Sequence, residues 1–383
     1  MLPPIACSFR PNPRGAPDAP APPGDGRARA VIGAWPDYAP TPLRRLDGLA
    51  RAIGCAAVLY KDEGGRFGLG SFKALGGAYG VSRLVERRGG AQGLTVATAT
   101  DGNHGRSVAW GARLFGCRAV IYIPTHCSAH REQALAALGA TVVRTDGGYD
   151  DAVRRCAADA AANGWQIVSD TSWPGYAEIP AWVTDGYTVM TDEIADALPA
   201  GAAPTHAFVQ GGVGALAAAV CLGLHRRFAA SPPAVVVVEP EGAACLFASV
   251  AAGRAAAAPA PVHSVMAGLD CGETSLLAWQ VLDRRAAAFM TVPDSATAPC
   301  MRLLADAPFG DPPIVAGESA IAGLAGLIAA MADPAVRGAL GLGPESRVLL
   351  FGTERDTDPD IYAKMVGRPS SMVAAPRGGT GHA

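Results

Sequence analysis

The chain has 383 residues, half of them hydrophobic, and a formal net charge of −2, so it is long enough for two packed domains with sizeable cores. No run of basic residues interrupts it, which excludes a nucleic-acid or anionic-membrane surface as the organising partner and leaves a small molecule. Its nine scattered cysteines form neither a CxxC pair nor a zinc-ligand spacing; no metal site is expected, and the setting reads as reducing and cytoplasmic.

In chain order, residues 1–30 carry proline or charge every few positions, so no secretion-signal core forms and a flexible arm is expected. Residues 67–80, FGLGSFKALGGAYG, then place Lys73 among glycines, small residues and aromatics. Lysine accounts for only three of the chain's 32 lysines and arginines. An amine can lose its proton and become a nucleophile, which a guanidinium cannot. Lys73 is therefore either a solvated helix residue or a group kept for imine chemistry, and the scarcity of charge around it favours the second.

From residue 94 to 169 apolar and helical runs alternate: LTVATA, HGRSVAWGARLFG, AVIYI, SAHREQALAALG, ATVVR, YDDAVRRCAADAAANG and WQIVS. Val108, Ala112 and Phe115 fall on one helical face, and Gly116, Gly139 and Gly164 stand where helices should stop. Crossover helices between short apolar strands imply a parallel, doubly wound sheet. HAFVQ (206–210), VVVVE (235–239) and RVLLF (347–351) add buried strands, with a helix at SAIAGLAGLIAAM before the last. Residues 207–224 carry no charge over a length near the minimum for a membrane span. Gly211, Gly212 and Gly214 break that stretch into strand, loop and buried helix instead. The end of the chain, 367–383, reads as a flexible tail.

In such sheets ligands bind beyond the carboxyl ends of the strands. The residues to inspect are thus Asp101, Gly102 and Asn103; Asp170 and Thr171; the GGVG loop; and Gly352 with Thr353. GGVGAL (211–216) follows a strand and opens a helix, where free amides and the helix dipole favour a phosphate, although the same pattern serves a tight turn packed on the sheet. It is neither a Walker loop nor GxGxxG. A lysine beside a phosphate cradle suggests pyridoxal 5'-phosphate held as a Schiff base. In TATDGNHG (98–105), Asp101 or Asn103 is expected to cap the helix that starts near His104, leaving the other free to act. Asp170 and Asp101, at neighbouring strand ends, can raise each other's pKa; His104 reads as a hydrogen-bonding loop residue.

The combination FGLGSFKALGGAYG, TATDGNHGRSVAW, DTSWPGYAEIPAW, QGGVGALAAAV, VMAGLDCGE, DPPIVAGESAIAGL and GTERDTD, in this order over residues 60–362, resembles the diaminopropionate ammonia-lyases. These are fold type II pyridoxal-phosphate enzymes. The resemblance implies an α/β fold of two domains, each on a mainly parallel sheet flanked by helices: residues 31–82 with 190–366 as the large cofactor-binding domain and 83–189 as the small one. It implies that Lys73, beside Phe72, forms the Schiff base, that Asn103 meets the cofactor's ring hydroxyl, and that Gly211, Gly212, Val213, Gly214 and Ala215 hold the phosphate. Thr353 then faces the ring nitrogen. The implied reaction is α,β-elimination of 2,3-diaminopropionate through an aminoacrylate to pyruvate and ammonia. Lys73 takes the Cα proton of the L-isomer, Asp101 that of the D-isomer, and Asp170 assists the leaving amine. Cys245 and Cys271 fall where family members can carry a disulfide, and a homodimer is implied.

Departures from the family pattern are Arg355 in GTERDTD, in place of a glycine, and Asp270, Thr274 and Ser275 in DCGETS. They bear on the substrate more than on the cofactor. The alternatives are a serine or threonine dehydratase-like enzyme or a β-replacing synthase with the same cofactor, and a non-catalytic amino-acid-binding protein. Retention of Lys73 argues against the last. A nicotinamide dehydrogenase lacks its glycine fingerprint.

Overall fold

A computed structural model of the chain describes residues 1–16, 26–100 and 102–373. Among the described residues, eleven strands run in chain order: β1 (Ser8–Pro11), β2 (Leu43–Arg45), β3 (Ala57–Asp62), β4 (Thr95–Ala99), β5 (Arg118–Ile123), β6 (Thr141–Arg144), β7 (Gln166–Ile167), β8 (His206–Gln210), β9 (Ala234–Pro240), β10 (Ala288–Val292) and β11 (Arg347–Gly352). They form a seven-stranded sheet, β1-β10-β9-β8-β11-β3-β2, and a four-stranded sheet, β6-β5-β4-β7. The smaller sheet is parallel throughout. The larger is parallel from β10 to β3 and has an antiparallel strand at each edge.

The four valines of β9 show why the larger sheet is read so easily: Val236 and Val238 enter one core, Val235 and Val237 the other. Both faces are covered by helices, so the strand is apolar on both sides rather than alternating. The helix Ala322–Ala332 covers the first face and Ala215–Arg227 the second. The charge-free stretch 207–224 resolves into β8, the glycine loop and that second helix. No single helix among the described residues is long and apolar enough to cross a membrane.

The helix Ala74–Arg88, which begins directly after Lys73, lies between the two sheets. Leu75, Ala78 and Tyr79 pack into the large sheet's core, and Ala74, Val81 and Leu84 into the small sheet's. The glycines after Lys73 serve this packing. A Cβ on Gly77 would sit 1.9 Å from Ser107 Oγ, and one on Gly186 of the neighbouring helix 1.9 Å from Leu75 O. The division expected between residues 82 and 83 falls inside this helix, because one element supplies a face to each core.

Two further expectations are corrected. The N-terminal arm is not loose over its whole length: Ser8–Pro11 pairs antiparallel with β10, Ser8 opposite Thr291 and Pro11 opposite Ala288, giving that edge of the sheet a partner. Residues 17–25 lie outside the described part. At the other end Ser370–Met372 forms a helical turn, Val373 is buried in the core and Arg368 pairs with Asp306 at 2.6 Å, so the tail is anchored through 373. Residues 374–383 lie outside the described part.

Candidate active site

β3 delivers the chain to a turn, Glu63–Gly68, built on buried charges. Lys61 Nζ donates to Glu193 Oε2 at 2.6 Å, and Arg66 bridges Glu63 and Glu193 at 2.8 Å each. Phe67 adopts a left-handed conformation (φ 49°) and stacks on Trp110 at 4.7 Å. The next residues are laid along the chain leaving β11: Phe72 N donates to Thr353 O (3.0 Å) and Arg355 N to Gly70 O (2.9 Å). Lys73 then stands at the start of its helix, at the rim where β11 ends.

Lys73 Nζ donates to Asp170 Oδ2 at 2.5 Å, and both side chains are about four-fifths buried, with 20% and 17% exposed. The ammonium also lies 5.3 Å from the Phe72 ring and 5.9 Å from the Tyr187 ring. Burial works to lower the Lys73 pKa, but the charge of Asp170 outweighs it and the amine is held well above the usual lysine range. Burial likewise works to raise the Asp170 pKa, and the Lys73 and His104 charges hold it well below the usual carboxylate range. His104 sits 3.7 Å from the same carboxylate oxygen and its Nε2 meets Val168 O at 2.8 Å, which fits the hydrogen-bonding reading. Burial pushes its pKa down.

Asn103 opens the helix Asn103–Phe115, whose N-cap, Gly102, makes no side-chain cap bond. The expected choice between Asp101 and Asn103 as cap is overturned for Asn103. Thr100 Oγ1 accepts from Gly102 N (3.0 Å) at the cap and from Gly105 N (3.4 Å) in the first turn, so a hydroxyl outside the helix supplies the capping acceptor. Asn103 Nδ2 instead donates to Glu354 Oε2 at 2.5 Å, while Glu354 Oε1 accepts from Ser319 N at 3.0 Å. Glu354 thus sets the Asn103 amide; it is buried next to Thr353 in GTERDTD, and sequence reasoning missed it. Asp101 lies outside the described residues.

The GGVG loop joins β8 to the helix Ala215–Arg227. Gly211 and Gly214 N–H groups are engaged, by Val238 O at 2.9 Å and Gly211 O at 3.2 Å. Among the described residues no backbone carbonyl accepts from Gly212, Val213 or Ala215. Gly212 and Gly214 take φ of 60° and 102°, which turn the loop so that its amides open on the helix N-terminus. Gly211 and Gly214 therefore both depart from the expected five-residue donor set, their amides being engaged by Val238 O and Gly211 O, and what matters at Gly211 is its missing side chain. A Cβ there would lie 2.4 Å from Glu239 Cγ. Gly211→Ala is expected to cost about 1–3 kcal/mol through overpacking and to shed cofactor, checked by thermal unfolding and by the visible absorbance of the purified protein.

The family-specific departures also find places. Arg355 faces outward, 48% exposed and paired with Asp356 at 2.7 Å. Thr274 Oγ1 meets Ser249 Oγ at 2.9 Å, and all nine cysteines, Cys245 and Cys271 included, are free thiols.

A lysine in contact with a carboxylate, beside a loop of open amides at a helix N-terminus, is a set of donors suited to a phosphorylated aldehyde. The family model described as pyridoxal-phosphate dependent enzyme matches residues 34–353. The chain is 39% identical over 357 residues to the diaminopropionate ammonia-lyase of Escherichia coli (strain K12), covering 88% of this chain and 89% of that protein. The chain belongs to the diaminopropionate ammonia-lyase family. Two crystal structures of the Escherichia coli diaminopropionate ammonia-lyase superpose with a TM-score of 0.87 at 35% identity. One is in complex with D-serine and covers 98% of this chain and 100% of that one; the other is in complex with an aminoacrylate-PLP azomethine reaction intermediate and covers 96% and 98%. As in the rest of the diaminopropionate ammonia-lyase family, the fold is fold type II and the cofactor is pyridoxal 5'-phosphate. The open amides of Gly212 and Ala215, with that of Val213, which faces the Cys271 thiol, fit its phosphate, and the buried amine of Lys73 fits its aldehyde.

Proposed function

We propose that this chain eliminates ammonia from 2,3-diaminopropionate, and that the product hydrolyses to pyruvate with release of the second ammonia. The 39% identity across 88% of the chain to a diaminopropionate ammonia-lyase carries the choice of substrate, and the 2.5 Å contact of Lys73 with Asp170 carries the chemistry. Pyridoxal phosphate, when bound, supplies an electron sink that makes the Cα hydrogen of an attached amino acid acidic. Gly212, Val213 and Ala215 would hold its phosphate, Asn103 its ring hydroxyl and Thr353 its ring nitrogen, with Phe72 beside the ring. Lys73 would hold the aldehyde carbon and, once displaced by substrate, take the Cα proton of the L-isomer at Nζ. Asp101 would take the proton of the D-isomer from the opposite face, because the two enantiomers present that hydrogen on opposite sides. Asp170, kept ionised by Lys73, would orient the amine of Lys73 and steady the leaving β-amino group.

We read the large unit as the seven-stranded sheet with its helices and the small unit as the four-stranded sheet with its own, the helix Ala74–Arg88 joining them. A homodimer in the cytoplasm completes the reading.

The test is pyruvate formation from each isomer by the holoenzyme and by Asp101→Asn. The variant is expected to lose D-isomer turnover by about 10²–10⁴-fold, the span of one proton-transfer group, while L-isomer turnover stays within a few-fold. Equal loss of both isomers would sink the two-base assignment.

A further inference from the structure

One of the positions that leave the family pattern, Ser275, stands at a junction between the sheets. The loop leaving β7 with Asp170 is held on its own side by Tyr176, whose hydroxyl accepts from Ser169 N (3.0 Å) and donates to Ile167 O (2.9 Å). Besides the Lys73–Asp170 contact, its attachment to the large unit runs through Ser172. Ser172 N donates to Ser275 Oγ at 3.2 Å, the two hydroxyls lie 2.9 Å apart, and Ser172 Oγ accepts from Leu277 N at 2.7 Å. Ser172 thereby caps the helix Leu276–Arg285 from across the junction, while Ser275, at that helix's N-cap, makes no cap bond of its own. Ser275 N donates in turn to Val213 O at 3.0 Å, inside the GGVG loop. Both serines are buried, 5% and 2% exposed.

A hydrogen-bonded path therefore runs from the phosphate loop through Ser275 to Ser172, two residues from Asp170. We propose that Ser172 and Ser275 are positioning residues: they latch the Asp170 loop to the phosphate cradle, so that retention of the cofactor and placement of Asp170 against Lys73 depend on each other. The proposal rests on assigning the cradle to the phosphate and Asp170 to the reaction. Neither hydroxyl reaches Lys73. They act by fixing the loop, and a buried hydrogen bond between them loses its value if either is removed.

The experiment compares the holoenzymes of Ser172→Ala, Ser275→Ala and the double variant. Each single variant is expected to release cofactor about tenfold faster and to lose about tenfold in kcat with KM within about twofold, the size of one lost buried hydrogen bond. The pH midpoint of the visible band is expected to move down, because a carboxylate held less closely favours the protonated form less. The double variant is expected to fall clearly short of the product of the two single losses, because the hydroxyl–hydroxyl bond is shared while the bonds from Leu277 N and Ser172 N are not, and Ser275→Thr, which keeps the hydroxyl, to stay near the parent. Ser275→Cys keeps the volume and weakens the bond, so it reports in the same direction if an alanine variant does not fold. Losses that multiply to about a hundredfold in the double variant, or an unmoved release rate and band in the singles, overturn the latch. Parent-like Ser172→Ala beside an inactive Lys73→Arg overturns the latch alone; a fully active Lys73→Arg overturns the reading beneath it as well.

Discussion

Lys73→Ala and Lys73→Arg are expected to lose the visible band of the purified protein and at least about 10⁴-fold in pyruvate formation, the upper end for a group that both holds the cofactor and moves a proton. The arginine variant is the sharper of the two. It keeps a cation for Asp170, whose buried carboxylate would otherwise be left alone, and it removes the one property that distinguishes the residue: a guanidinium neither forms an imine nor gives up its proton at accessible pH. A folded Lys73→Arg protein without the band separates chemistry from stability. Retention of the band in either variant would place the cofactor on another group.

Asp170→Asn carries the second large effect, and its sign follows from the pair. In the folded chain burial pulls the Lys73 pKa down and Asp170 more than restores it. With the carboxylate replaced by an amide, the largest influence opposing burial is gone and the amine falls from its raised value towards the range in which it can lose its proton. More free amine at pH 8 means faster labelling of Lys73 by an amine-reactive reagent in the cofactor-free protein, by about tenfold for each unit of the drop. Peptide mass analysis reads this cleanly because the chain has only three lysines. Turnover is expected to fall by about 10²–10⁴-fold in the same variant. Unchanged or slower labelling would contradict the electrostatic account. The same pair sets a pH window for stability. The lowered Asp170 pKa makes its contribution present above its ordinary 3.8 and lost as pH falls through the lowered value. The raised Lys73 pKa makes its contribution present below 10.5 and lost as pH rises through the raised value.

How much of this is legible in the sequence depends on how local each cause is. β8, β9 and β11 announce themselves because burial on both faces leaves unbroken apolar runs. The helix stops at Gly116, Gly139 and Gly164 are equally local, and all three take positive φ. β1 and β2 are short edge strands whose partners lie far along the chain, so nothing in their own residues marks them. β3 hides behind its charges: Lys61 and Asp62 end an apolar run, and Lys61 is tolerable in the core only because Glu193, 132 residues away, meets it. AFMTV of β10 is a five-residue apolar run that periodicity cannot tell from a buried helix turn.

The site divides in the same way. Lys73 stands out by residue type, and Asp170 by the rule that ligands gather beyond strand ends; their contact across 97 positions is what the fold adds. Gly211 was legible as important but not for the right reason, since the competing claim on its amide comes from Val238 and the limit on its side chain from Glu239. Glu354 escaped notice because an acid in GTERDTD reads as one more exposed charge, and only the fold brings Asn103 to it. The second lysine, Lys61, answers a different question from Lys73: it is kept by a buried ion pair rather than by imine chemistry.

The central claim is the substrate, and the most direct measurement is initial-rate pyruvate formation by the purified holoenzyme from L- and D-2,3-diaminopropionate, with L- and D-serine run in parallel at equal concentration. The account predicts pyruvate from diaminopropionate, with two ammonia molecules for each, at a kcat/KM at least about tenfold above serine, the discrimination worth about 1.4 kcal/mol. A bound cofactor with no pyruvate from either diaminopropionate isomer, alongside turnover of serine, would contradict it and place the chain among the dehydratase-like relatives.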